Sequence, residues 1–135
     1  MVLSTATYDG EKHCHIIHHT SQSQIETDAP KDNHGMGARF SPTDLLGAAL
    51  GSCILTTMAI HFEKDGLALK GALAQVTKEM AANPRRITKL NVRIEFPKGI
   101  QAELRPKIEL VAHSCPVHKS LHSTIEIPIE FVYPD

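Results

Sequence analysis

The chain reads as an α+β protein: strand patterns, one long uncharged helix, more strand patterns, short helices and a final strand follow one another in that order. Three observations carry this. Residues 87–96 alternate, with Leu90, Val92, Ile94 and Phe96 on one face and Lys89, Asn91, Arg93 and Glu95 on the other. Ser41-Pro42-Thr43-Asp44 opens a helix: Ser41 can cap, Pro42 suits the first helical position, and Asp44 completes a capping box. Residues 45–60 are then uncharged and apolar or small on nearly all sides, which predicts a central helix buried all round.

The remaining elements follow in sequence. Residues 13–19 are rich in His and Ile between Asp9-Gly10 and a polar stretch, which suggests a hairpin, and Ile25-Glu26-Thr27 suggests a short third strand. Residues 28–37, with Pro30, Gly35 and Gly37, form a loop long enough to be functional. The long helix runs to about Lys64, where Asp65-Gly66 stops it. Residues 67–80 carry a weaker strand pattern, and Asn83-Pro84-Arg85-Arg86 makes a turn before the alternating strand, which Pro97-Lys98-Gly99 closes. Ile100, Leu104, Ile108 and Val111 recur at helical spacing, with Pro106 starting or kinking that helix. Cys115-Pro116 opens a short helix, and Ile125, Ile127, Ile129, Phe131 and Tyr133 alternate in a last strand that Pro128 places at an edge or a bulge.

The 135 residues are expected to form a single domain over 1–135, long enough to bury a core. Gly47 and Gly51, one turn apart, leave room for another backbone. A helix covered on every side in so short a chain implies a second subunit, hence a homodimer. A net charge of −1 gives no electrostatic case for nucleic acid or an anionic membrane surface. Three cysteines, an odd number, argue against a secreted disulfide framework. The first residues do not pattern as a signal peptide, and the uncharged run is shorter than the roughly 18 apolar residues of a membrane span. A cytoplasmic location is expected.

The chemistry resides in two cysteines. A thiol on a central helix and another at a helix start suit a two-cysteine redox cycle, in which one thiolate is oxidised and the other captures it. Cys53, beyond the first turn of its helix, also reads as an inert core thiol unless a cation reaches it. Arg39 is the candidate, and Asp44 either holds that guanidinium or only caps the helix. Cys115 precedes Pro116 as an N-cap, where free amides favour a thiolate, and His113 and His118 are near in sequence. On these local grounds Cys115 is the more acidic thiol. His113, Cys115 and His118 also read as three zinc ligands, one short of a structural site. His13, His15 and His19 share one strand face, which reads as polar and solvated, and Cys14, opposite, reads as a bystander. No nucleotide-binding, serine-hydrolase or HExxH motif occurs.

The stretch 41–53, ending Leu-Gly-Ser-Cys53, together with Cys115-Pro-Val-His-Lys-Ser-Leu121, resembles the OsmC/Ohr family of osmotically induced and organic hydroperoxide resistance proteins. The resemblance covers the whole chain, and Thr27-Asp-Ala-Pro30 before the glycine-bearing loop is similar to its less studied OsmC-like branch. It implies an intertwined homodimer of antiparallel sheets around long central helices. It implies a thiol-dependent peroxidase in which Cys53 attacks organic hydroperoxides and Cys115 resolves the sulfenic acid. No metal or organic cofactor is implied, the reductant being an external dithiol or lipoyl-type partner. Leu50, Ile54 and Met58 would line an apolar pocket for alkyl or lipid hydroperoxides. The family's catalytic glutamate position is Thr43 here, with the acid one residue later at Asp44, a turn of about 100° on a helix. Arg39-Phe40 resembles the Arg-Phe pair of OsmC-type members. That departure leaves a second expectation, an OsmC-fold protein without efficient peroxidase chemistry that binds a small apolar ligand at the dimer cleft.

Overall fold

The computed structural model describes residues 1–134, which form two compact units, 1–46 and from residue 47 onward. In the first, β1 (Ser4–Gly10), β2 (His13–His18) and β3 (Gln24–Asp28) make an antiparallel sheet in that order. The β1–β2 turn uses left-handed backbone at Gly10, Glu11 and Lys12. After β3 the chain turns through a short 3-10 segment, Lys31–Asn33, and doubles back so tightly that a Cβ on Gly35 would sit 1.8 Å from the Ala29 carbonyl oxygen. Only glycine fits there.

The histidine-bearing face of this sheet is not simply solvated. Asp28, only 4% exposed, accepts hydrogen bonds from the Ala38 amide (3.0 Å) and pairs with His13 Nδ1 at 2.6 Å. His13 Nε2 meets Glu26 at 3.1 Å, and Arg39 Nε donates to the other Glu26 oxygen at 3.3 Å. His15 pairs with Asp9 at 2.7 Å. The loop after β3 is thus clasped to β2 by a chain of alternating charges. The hydrogen bond from Asp28 raises the His13 imidazole above its ordinary value, and that same bond holds Asp28 low.

α1 (Pro42–His61) begins with the expected capping box: the Ser41 amide donates to Asp44 Oδ2 (2.9 Å) and the Asp44 amide to Ser41 Oγ (3.1 Å). The helix ends at His61, and a 3-10 turn, Glu63–Asp65, carries the chain to left-handed Gly66. By length and composition alone α1 could cross a membrane. It is instead packed along one face: Gly47, Leu50, Gly51, Ile54 and Met58 are buried, while Leu46 and Ile60 are 42% and 76% exposed. In the single chain, burial of α1 is thus confined to one face.

In the second unit β4 (Leu73–Ala81) and β5 (Arg86–Glu95) pair antiparallel, and β6 (Ile129–Val132) adds to β5 in parallel. This corrects the expectation of purely antiparallel sheets. The segment between β5 and β6 carries a 3-10 turn, α2 (Arg105–Ala112) and α3 (Pro116–Ser120), which supplies the long crossover a parallel pair needs. β6 is the edge strand, and Pro128 just before it accepts from the Val92 amide without having to donate.

The core lies between α1, the inward face of β5 and α2. Leu90, Val92, Ile94 and Phe96 are buried, as the alternation predicts, and Ile108, Val111, Ala112 and Cys115 form the buried stripe leading out of α2. Gly51 lets the α1 backbone sit against β4: a Cβ there would lie 3.2 Å from a Val76 methyl and 3.4 Å from Ala74 Cβ. α2 is pinned beyond β6 by Tyr133, whose hydroxyl donates to Glu109 at 3.0 Å, whose ring stacks on Phe96, and over which the Arg105 guanidinium lies at 4.4 Å. Burial and the Glu109 carboxylate push the Tyr133 phenol well up, so it stays a donor.

Two outcomes follow. Ile54→Ala, at a fully buried site, lowers unfolding free energy by about 2–5 kcal/mol and Gly51→Val by about 1–3 kcal/mol, read from urea denaturation. The His13–Asp28 clasp adds stability that is complete between about pH 4 and 6.5. It is lost as pH rises through the raised His13 value, and as pH falls through the lowered Asp28 value. The stability difference between wild type and Asp28→Asn is therefore expected to shrink above neutrality, and a pH-independent difference would refute the linkage.

Candidate active site

Cys53 lies in the fourth turn of α1, half-buried, and Cys115 is the fully buried N-cap of α3. The sequence places Cys115 there for local reasons. Its extended backbone (φ −66°, ψ 148°) is what the residue before a proline adopts, and Pro116 needs no amide partner at the first helical position. The Cys115 sulfur accepts the His118 amide at 3.3 Å. The Val117 amide and the Cys115 thiol both act on the Cys53 sulfur. The first amides of α3 thus bear on both sulfurs. Thr57, one turn along α1, places its hydroxyl 3.9 Å from Cys53 Sγ.

The two thiols are driven in opposite directions. Burial raises Cys53, but the Val117 amide, the Cys115 thiol and the Thr57 hydroxyl together outweigh it, and the thiol lies below its ordinary value. Burial pushes Cys115 up. The His118 amide opposes this, while the hydrogen bond and charge of Cys53 add to it. This reverses the local reading in which the N-cap thiol is the more acidic. One capping amide does not compensate for complete loss of water, and of two neighbouring thiols only one gains by ionising. The pair therefore sets a more acidic thiol at Cys53 against a less acidic one at Cys115.

His118 is held below the usual imidazole range by burial and then by the charge of His113, whose ring meets it edge-on at 5.8 Å. Among the described residues no three His, Cys, Asp or Glu side chains gather in metal-ligand geometry. Arg39 and Asp44, named with the cysteines from sequence, lie in the first unit: Arg39 is paired with Glu26 and donates to the Ala38 carbonyl, and Asp44 closes the helix cap. Leu50, Ile54 and Met58 are fully buried in the core, so the expectation that they line a substrate pocket is corrected. They point toward β4 and β5 because the glycine face of α1 is the one that packs. An apolar depression of about 270 Å³ lies instead along Leu55, Thr56, Ala59, Leu69 and Ala72, with Lys70 at its border.

Sequence reasoning did not single out Thr57 or Val117. The signal for Thr57 was its spacing of four from Cys53 on one helix. The signal for Val117 was its place in the first turn after the N-cap, where amides are free.

Comparison with known proteins agrees with this fold. Residues 34–130 match the family model described as OsmC-like protein. A Psychrobacter arcticus 273-4 protein, provisionally described as an osmotic stress induced and detoxification response protein, is 39% identical and superposes with a TM-score of 0.92 over 97% of this chain and 96% of its own. An organic hydroperoxide resistance protein from Elizabethkingia anophelis shares the fold at 16% identity, with a TM-score of 0.80 over 99% of this chain and 96% of its own. An OsmC-like protein from Mycoplasma pneumoniae does so at 22% identity, with a TM-score of 0.77 over 98% of both chains. No curated protein matches the chain. By its fold, its two cysteine motifs and these similarities, the chain belongs to the OsmC-like protein family.

Proposed function

We propose that this protein is a cytoplasmic, thiol-dependent peroxidase that reduces organic hydroperoxides through Cys53 and Cys115. The observation that carries the reading is a pair of neighbouring thiols whose acidities are driven in opposite directions, Cys53 below its ordinary value and the buried Cys115 above it. The Cys53 thiolate attacks the outer peroxide oxygen, the O–O bond breaks, and the alkoxide leaves and takes a proton to become the alcohol. Cys53 is then a sulfenic acid. Cys115 attacks its sulfur, an S–S bond forms, and the hydroxyl leaves with the Cys115 proton as water. A dithiol or lipoyl-type reductant returns both thiols, and no bound cofactor takes part. The Val117 amide stabilises the attacking thiolate, and the raised Cys115 remains a thiol until the sulfenic acid is beside it. In this reading a second copy of the chain covers the face of α1 that carries Leu46 and Ile60, giving a homodimer.

A second reading is a family member with little peroxidase chemistry that binds an apolar ligand. It is favoured by the engagement of Arg39 with Glu26 and of Asp44 in the helix cap.

Intact mass after one equivalent of cumene hydroperoxide separates the two. Wild type is expected to lose two hydrogens within seconds, Cys115→Ser to gain one oxygen, and Cys53→Ser to remain unchanged. Wild type that stays reduced for minutes would remove the peroxidase reading and leave the ligand-binding one. In iodoacetamide labelling resolved by peptide, Cys53 is expected to react faster than Cys115 at neutral pH and to reach its plateau at lower pH. Preferential labelling of Cys115 would reverse the assigned roles.

A further inference from the structure

Resting on the peroxidase reading, we infer that Thr57 is a further catalytic residue: its hydroxyl donates a hydrogen bond to the Cys53 sulfur and holds it as the attacking thiolate. α1 carries two adjacent threonines whose hydroxyls do different things. Thr56, exposed, bonds back to the Ser52 carbonyl at 3.0 Å and the Cys53 carbonyl at 3.3 Å. That is the usual resting place of a helical threonine hydroxyl. Thr57 makes no such bond among the described residues, and its hydroxyl instead faces Cys53 Sγ at 3.9 Å.

Spacing makes this contact available. Residues four apart on a helix lie one above the other, so Thr57 and Cys53 share a face. Branching at Cβ leaves Thr57 few rotamers, which fixes the hydroxyl once its methyl is packed. The separation is long for a neutral thiol, and a full charge on sulfur shortens such bonds. Among the described residues of the second unit the groups acting on the Cys53 sulfur are the Val117 amide from α3, the Cys115 thiol from the loop before it, and Thr57 from α1 itself. Cys115 is the titratable side chain among them. Val117 contributes through its backbone and Cys115 is itself a reacting thiol in this reading, so Thr57 is the non-reacting donor that a side-chain substitution can remove.

The same hydroxyl has a place in both half-reactions. When the thiolate attacks, electron density leaves sulfur for the departing alkoxide oxygen, and a donor fixed at sulfur keeps a lone pair aligned with the incoming peroxide. Once the sulfenic acid has formed, the hydroxyl can accept from S–OH or donate to its oxygen. Either bond leaves the sulfur open to Cys115, and no proton leaves Thr57 in either step.

The experiment is peptide-resolved iodoacetamide labelling of Cys53 across pH 5 to 10 in full-length wild type, Thr57→Val and Thr57→Ser, with Thr57→Ala as a second hydroxyl-free variant should Val perturb the fold. Loss of one hydrogen bond to a charged sulfur is expected to slow labelling at pH 7 about three- to tenfold in Val and Ala and to move the profile upward by about half to one pH unit. Rates converge on the alkaline plateau, and Ser stays within about twofold of wild type. Reduction of cumene hydroperoxide at pH 7 falls by a similar factor in the hydroxyl-free variants. A Val or Ala profile overlying wild type overturns the inference, as does a Ser variant that behaves like Val. Labelling needs no peroxide: a shifted profile in a protein that does not turn over hydroperoxide upholds the hydrogen bond while the peroxidase reading fails. An unshifted profile in an active peroxidase removes Thr57 alone.

Discussion

α3 is only five residues long, yet its first amides bear on both thiols of the second unit. A helix start leaves backbone donors that its own turns do not satisfy. Here sulfur meets them: Cys115 takes the His118 amide at 3.3 Å, and the Val117 amide acts on Cys53. Sulfur is a poor acceptor as a thiol and a good one as a thiolate, so the arrangement is satisfied best when one of the two is ionised. The demand of the backbone and the acidity of the Cys53 thiol are therefore one property.

The other elements serve to bring those amides to α1. Gly51 lets the helix lie against β4, which sets the depth of Cys53. The buried stripe of α2 ends at Cys115, so the packing that holds the helix also carries the second sulfur to its place. Tyr133, clamped between Phe96, Arg105 and Glu109, ties α2 to the strand that follows it. With no aromatic residue on the inner face of α1, small residues and aliphatic contacts set the spacing there.

Much of this was legible in the chain. The alternation of β5, the Ser41–Asp44 cap and the Cys115-Pro116 helix start are local signals, each decided by residues within a few positions of one another, and the structure follows them. The parallel return of β6 was not legible, because strand direction depends on where a crossover lands, and alternation alone is the same in either sense. Nor was the order of thiol acidity. The motif displays the capping amide that lowers a pKa and hides the burial that raises it, and Cys115 has no exposure at all. The histidines of β2 misled for a related reason: their carboxylate partners, Asp9, Glu26 and Asp28, come from neighbouring strands and turns, which only the sheet register brings across from them.

The parallel pairing of β6 has a mechanical consequence. The chain leaves β5 at residue 96 and rejoins it beside residues 88–92, through the Thr88–Glu126 and Val92–Pro128 hydrogen bonds. Everything between, including α2, α3 and Cys115, is an excursion moored at both ends to a single strand. Its roots share one strand, while its buried stripe of Ile108, Val111, Ala112 and Cys115 belongs to the same core that α1 packs into. One of the two sulfurs lies on that excursion and the other on α1. Their spacing is therefore set by the packing of the stripe and not by the chain that joins them, so loosening the stripe would part the sulfurs and loosen the core together.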